Sequence, residues 1–319
     1  DLSEDQLAFQ TLAKNFAAKE LAPFAAEWDS KSEFPVEVIK KAGDLGFCSL
    51  YVDKEDGGMG LGRLDASIII EQLSVGCTST TAFITIHNMA LWMLSKFGSE
   101  DLKKEWCSSL TSGKKLSSYC LTEAESGSDA ASLRTTAEKK GDSYILNGSK
   151  SFVSGSGETD CLILMARTGK EGPEGISCFL ISADSKGIEY GKKEEKMGWK
   201  SQPTRIVSLS DVEVPASNLI GKEGQGFKIA MQGLDGGRIN IATCSVGTAQ
   251  AALDAAQKYM NEREQFGKKI GEFQALQFKL ADMTTELVAA RHFVRLAASK
   301  IDSGHPEAAV YSAMAKRFA

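Results

Sequence analysis

The feature that most restricts how this chain can fold is a change, made twice, in the period of its apolar residues. Up to about residue 115 they recur at three- and four-residue steps, the spacing of a helix face. Between Tyr119 and Asp211 they gather in short runs, Cys161 to Met165, Ile176 to Ile181 and Arg205 to Leu209, separated by Gly, Pro, Asp and Lys. Runs of that length between turn-formers read as strands. From Phe227 the helical step returns. Ala242, Val246, Ala249, Leu253, Ala256 and Met260 lie on one stripe, and a second runs from Leu276 through Leu280, Met283, Leu287, Ala290, Val294 and Ala297 to Ile301. Strands segregated from helices in this way give an α+β multidomain chain. The expected parts are an N-terminal helical domain over residues 1–115, a middle antiparallel β domain over 116–226 and a C-terminal helical bundle over 227–319.

Local signals refine this outline. Ser3 with Gln6 three residues later forms a capping-box pattern that opens a helix, Pro23 disturbs that helix near Leu21, and Pro35 opens the next. Further helices are expected at roughly 65–76, 80–97 and 100–111. The glycine cluster Gly57-Gly58-Met59-Gly60-Leu61-Gly62 lacks the dinucleotide fingerprint and reads as a loop. Asn147-Gly148, between Tyr144–Leu146 and Ser151–Val153, is a strong hairpin signal. Arg263 to Gly267 is the loop between the two long helices, and Ala308 to Phe318 begins another. A bundle whose third helix is unfinished lacks a partner for its apolar faces, so further helical chain is expected beyond Ala319.

Composition narrows the function classes. With 37 Lys+Arg against 42 Asp+Glu the chain is acidic, with a net charge of −5, and offers no footprint for nucleic acid. No apolar run approaches the length of a membrane span. The seven cysteines form no C-x-x-C pair and are odd in number, which reads as buried reduced thiols. The histidines, His87, His292 and His305, are far apart, so neither a metal site nor a histidine triad is expected. His87 reads as packed between helices and His292 as a helix-surface residue.

The chemistry concentrates in Tyr119-Cys120-Leu121-Thr122-Glu123-Ala124-Glu125-Ser126-Gly127-Ser128-Asp129, ending at Ser132. Gly127 lets the backbone approach a ligand, and Thr122 and Ser128 offer hydroxyls that donate and accept. Three acids in one loop argue against a bare phosphate clamp. A polar helix-to-sheet turn has the same composition. The ordered string from Cys120 to Ser132, however, resembles the signature of the acyl-CoA dehydrogenase family. Asn147–Lys150, Trp199–Arg205 and Gly236–Ala242 extend the resemblance along the chain.

That resemblance implies an FAD-dependent enzyme that removes the α-proton and β-hydride of a short branched-chain acyl-CoA and passes electrons to electron-transfer flavoprotein. It implies that Tyr119 to Ser128 line the flavin, with Phe152, Val153 and Ser154 as a second flavin-side segment. Many relatives carry Trp-Ile-Thr there, so the departure is conservative. Without the resemblance, Phe152-Val153 would read as strand core. Ser128 would also meet the acyl-CoA, as would Asp235, Gly236, Gly237 and Arg238. Arg263, Phe273 and Gln274 resemble positions that reach the flavin of a neighbouring subunit, which implies a homotetramer. The location implied is the mitochondrial matrix, or the cytoplasm in a bacterium. The family's base is a glutamate, expected beyond Ala319. A minority of relatives place it before the arginine of the 235–238 motif, where this chain has Gly237, so no catalytic base is assigned. A straight short-chain or 2-methylbutyryl enzyme, an oxidase, and a non-catalytic flavin or acyl-CoA binding protein stay open as alternatives.

Overall fold

The computed structural model describes residues 2–319. The N-terminal region is helical, as its period requires: α1 (Glu4–Phe16), α2 (Ala25–Lys31), α3 (Val36–Asp44), α4 (Arg63–Gly76), α5 (Thr78–Phe97) and α6 (Glu100–Thr111). Ser3 closes the expected capping box with Gln6, through bonds of 3.0 and 3.2 Å. Ahead of Pro23 the ladder widens into a π-turn at Ala17–Leu21 before the chain breaks and restarts as α2. The glycine cluster at 57–62 is a loop, and Gly57 and Gly60 take left-handed φ there.

The middle of the chain forms an eight-stranded sheet. Its strands are β1 (Ser117–Cys120), β2 (Thr136–Lys140), β3 (Ser143–Ser154), β4 (Cys161–Arg167), β5 (Ile176–Ser182), β6 (Ile188–Tyr190), β7 (Thr204–Pro215) and β8 (Leu219–Ile220). The order is β6-β7-β3-β2-β4-β5-β8, with β1 also on β4. The sheet is mixed: β1 and β2 pair with β4 in parallel and the other pairings are antiparallel.

The hairpin expected at Asn147-Gly148 does not exist. β3 runs straight through those residues, and the turn falls at Gly141-Asp142, where Lys140 pairs with Ser143. Asn147-Gly148 is instead a bulge against β7. Gly148 has φ +149°, and a Cβ there would meet the Thr135 backbone at 2.7 Å, so glycine is required by a close approach rather than by a turn. The Asn147 amide closes the bulge on Asp211, donating to Oδ1 at 3.0 Å and accepting from its backbone N–H at 2.8 Å. Pairing on both sides of β3 overrides the local turn preference.

β4 and β5 are buried on both faces, and their alternation divides the core. Cys161, Ile163, Met165, Cys178 and Leu180 pack with α5 and α6 residues such as Met93 and Leu110, and with Ile229 of α7 (Gly226–Glu262). Leu162, Leu164, Phe179 and Ile181 pack instead with Tyr144, Leu146 and Val207 of the same sheet. Each such buried aliphatic side chain contributes about 1.5–3 kcal/mol.

The helical period from Phe227 produces α7, α8 (Gln274–Asp302) and α9 (Ala308–Phe318). The connection between α7 and α8 is longer than the loop expected at 263–267. It contains a two-stranded ribbon, β9 (Glu264–Gln265) with β10 (Lys268–Lys269), and a 3₁₀ turn at Ile270–Glu272. The chain divides into two compact units. One holds residues 1–25, 62–82 and 238–319, and the other 26–61 and 83–237. In the first, Ala242, Val246, Leu287, Ala290, Val294 and Ala297 form the buried core. Glu71, buried there, accepts from Arg291 Nε at 2.8 Å and pairs with Arg295 at 3.4 Å. Asp302 caps α4 by accepting from the Arg63 and Leu64 amides at 2.6 and 2.9 Å.

Candidate functional site

Two segments of the sequence string meet in the sheet unit. β1 delivers Tyr119 and Cys120, and the chain then leaves the sheet through Leu121 and Thr122 into a tight loop. Glu123 and Ser126 exchange backbone hydrogen bonds of 3.1 Å in both directions, and Ser126 Oγ donates to the Asp129 carbonyl at 2.7 Å. These bonds hold Ala124, Glu125, Gly127 and Ser128 at the surface. A Cβ on Gly127 would meet nothing within 4 Å, so the side facing away from the backbone is open space.

The second segment is the end of β3. The Ser151 amide donates to the Thr122 carbonyl at 2.8 Å, and Ser118 Oγ donates to the Ser154 carbonyl at 2.7 Å. The β3–β7 register slips a second time between Lys150 and Val153. That bulge turns Phe152 to φ +56° and leaves it 68% exposed, while Val153 stays in the core. Phe152 is therefore not strand core. A bulky residue held in the left-handed region is strained, a state that the surrounding bonds must enforce.

What fixes both segments is a buried ion pair that the string alone does not reveal. Lys150, fully buried, donates from Nζ to Glu123 Oε1 at 2.7 Å and to the Leu121 carbonyl at 3.1 Å. Glu123 also accepts from the Arg134 and Thr135 amides at 2.6 and 3.0 Å. Burial works to raise the Glu123 carboxyl, but the Lys150 charge and these donors outweigh it and hold the group below the usual range. Burial pulls the Lys150 ammonium down, against Glu123. The available signal was no more than a lysine inside a strand. Only pairing made that burial tolerable.

The acids of the loop are thus spoken for. Glu123 is committed inward, Glu125 pairs with Arg134, and Asp129 accepts from Ser132 Oγ at 2.6 Å. The hydroxyls are not: among the described residues Thr122, Ser128 and Ser154 make no side-chain hydrogen bond, and the buried Tyr119 Oη has no partner. Burial raises the Tyr119 phenol well above its ordinary value. Uncommitted hydroxyls, an exposed aromatic and open space over a glycine fit a large planar cofactor with hydrogen-bonding edges such as a flavin.

Asp235, Gly236 and Gly237 lie on α7, and a Cβ on Gly237 would stand 3.2 Å from Met89 Sδ. Tyr119 and Leu234 pack on the same cluster as Met89, so this part of α7 shares a core with the loop. Arg238 follows on the same helix, in the other unit. Arg263, Phe273 and Gln274 also belong to that unit, around the exposed ribbon, where Lys268 Nζ lies 4.4 Å from the centre of the Phe273 ring. His87, beside the start of β1, is fully buried. Its Nε2 faces the Leu110 carbonyl at 2.9 Å, and its Nδ1 accepts from the Ser117 amide at 3.1 Å. His292 is on the helix surface, and all seven cysteines are buried and free.

Three family profiles match the chain: acyl-CoA dehydrogenase N-terminal domain over residues 3–114, middle domain over 118–212 and C-terminal domain over 224–319. It is 53% identical to the mitochondrial isobutyryl-CoA dehydrogenase of Bos taurus over 318 residues, which covers 100% of this chain and 76% of that protein. It is also 53% identical to the mitochondrial isobutyryl-CoA dehydrogenase of Dictyostelium discoideum, with 100% and 77% covered. Among solved structures, butyryl-CoA dehydrogenase from Megasphaera elsdenii superposes with a TM-score of 0.95 at 38% identity, over 100% of this chain and 84% of that one.

Proposed function

Because this chain belongs to the acyl-CoA dehydrogenase family, we propose that it dehydrogenates a short branched-chain acyl-CoA between Cα and Cβ, with isobutyryl-CoA preferred and FAD as its cofactor. The observation that carries this reading is the stapling of residues 118–122 to 151–154, beside which the hydroxyls of Thr122 and Ser154 stay uncommitted. Bound there, a flavin would supply the acceptor for the substrate's β-hydrogen. The protein's part is to hold it. Thr122 and Ser154 offer hydroxyls to its polar edge, Phe152 offers an aromatic face, and Gly127 lets it come close.

A thioester α-proton is very weakly acidic, so a carboxylate must accept it while the carbonyl is hydrogen-bonded. None of the loop acids is free for that task, and Gly237 has no carboxyl. The Glu123 carboxylate serves the loop's shape. Ser128 and Asp235 to Arg238 are assigned to the acyl-CoA, Arg238 supplying a cation for its phosphates. Arg263, Phe273 and Gln274 are assigned to a neighbouring subunit's flavin in a homotetramer. Electron-transfer flavoprotein is the proposed electron acceptor, and the mitochondrial matrix the proposed location.

The test is steady-state kinetics of the yellow holoenzyme with isobutyryl-, butyryl- and hexanoyl-CoA. A methyl more or less in an apolar pocket is worth about 1–3 kcal/mol, so isobutyryl-CoA is expected to lead in kcat/KM by roughly 10–200-fold. A higher kcat/KM for hexanoyl-CoA overturns the substrate assignment. A protein that stays colourless after incubation with FAD overturns the flavin assignment.

A further inference from the structure

Beside the stapled segments lies a lysine that no sequence signal singled out. Lys196 precedes β7, and its ammonium donates to the Gln202 carbonyl at 2.7 Å and to Thr204 Oγ1 at 2.9 Å. Its third hydrogen has no acceptor among the described residues. Thr204 is the partner of Ser154 in the β3–β7 register, and the Gly155 amide donates to the Pro203 carbonyl at 2.8 Å. Paired residues of an antiparallel ladder project to one face with Cβ atoms about 4.5–5.5 Å apart. The Lys196 charge therefore stands one side chain away from Ser154.

A cavity of about 440 Å³ opens at this point, lined by Lys196, Gln202 and Thr204 together with the charged Lys193, Glu194, Glu195 and Lys200. Gln202 is 3% exposed and its Oε1 has no hydrogen-bond partner, nor has Oγ of the neighbouring Ser201. Lys193 and Lys200 are exposed, as is Glu195. Water and salt screen such surface charges, whereas a half-buried ammonium tied to the sheet is screened far less. Burial draws Lys196 down to about 8, with Asp29 opposing, and it stays mostly protonated at neutral pH.

We propose that Lys196 is a positioning residue of the redox site: through Thr204 it holds residues 196–204 as a third flavin-side segment, and its charge there favours the reduced over the oxidised cofactor. The proposal rests on the flavin reading of Ser154. A fixed cation near the redox group favours whichever state carries more negative charge, and that is the reduced one.

The experiment measures the two-electron midpoint potential of FAD in the holoenzyme and in its Lys196→Met, Lys196→Arg and Lys193→Met variants, by equilibration with a reference dye. Lys196→Met is expected to lose about tenfold in preference for reduced over oxidised FAD, a fall of about 30 mV. Lys196→Arg is expected to restore most of it, and Lys193→Met, the same charge change at an exposed site, to leave the potential in place. If Lys196→Met fails to fold, Thr204→Val removes the anchor and is expected to move the potential the same way. An unchanged potential in Lys196→Met or Thr204→Val overturns the proposal, as does an equal fall in Lys193→Met. A parent protein that binds no FAD overturns the flavin reading itself, and this proposal with it. FAD bound with an unmoved potential sinks only the role of Lys196.

Discussion

Replacing Lys150 by methionine tests what holds the candidate site in shape. The substitution keeps the length of the side chain and removes its charge. It strands the Glu123 carboxylate, 9% exposed, with only the Arg134 and Thr135 amides, and leaves the Leu121 carbonyl without its donor. Removing one partner of a buried ion pair costs about 3–5 kcal/mol, because the other charge stays behind unpaired. For a chain of this size that is a fall in Tm on the order of 5–10 °C. The loss should not be spread evenly. The Ser151 amide to Thr122 carbonyl bond joins residues adjacent to the pair, so FAD retention should fall with stability. Glu123→Gln in the Lys150→Met background removes the stranded charge while keeping an acceptor for one of the two amides. That double variant is expected to be more stable than Lys150→Met alone, a non-additivity of about 0.5–3 kcal/mol. The assay is thermal unfolding followed by circular dichroism, with FAD release followed by its fluorescence. A Lys150→Met protein that melts within 2 °C of its parent, by the roughly 1 kcal/mol that this shift represents, and keeps its FAD would refute the reasoning.

Two further outcomes are expected. His87 is held neutral, its pKa lowered by burial to about 4 from 6.5 against the opposing pulls of the Leu110 carbonyl and Asp160. The unfolded chain therefore takes up the proton first, and stability is lost as pH falls from 6.5 to 4, by up to about 3 kcal/mol. His87→Gln should flatten that acid limb in urea midpoints measured against pH, and an unaltered slope would refute the assignment. Arg263→Ala, on an exposed ribbon, should change stability by less than about 0.5 kcal/mol yet weaken FAD retention and association together. Titration with FAD and gel filtration read both, and unchanged values for both would remove Arg263 from the site.

Much of this protein is determined by the sequence itself, because the relevant forces are local or periodic. The capping box at Ser3 and Gln6 and the limits of α6 and α9 follow from residues within a few positions of each other. So do the strands over Cys161–Arg167 and Ile176–Ser182, since short unbroken apolar runs between turn-formers read as strands buried on both faces. The string from Tyr119 to Ser132 marked the loop without showing what shapes it. Contacts between residues far apart in the chain decided the rest. Asn147-Gly148 carries a strong turn preference, yet β2 and β7 pair on either side of it and make it a bulge. Glu123 reads as a polar loop residue until Lys150, 27 positions later, is folded against it. Phe152 reads as core until a register slip turns it outward, and Lys196 is one of several lysines in a charged run until Thr204, the partner of Ser154 across the sheet, accepts from its ammonium. In each case the energy belongs to a pairing across the sheet, and no window of neighbouring residues contains both partners.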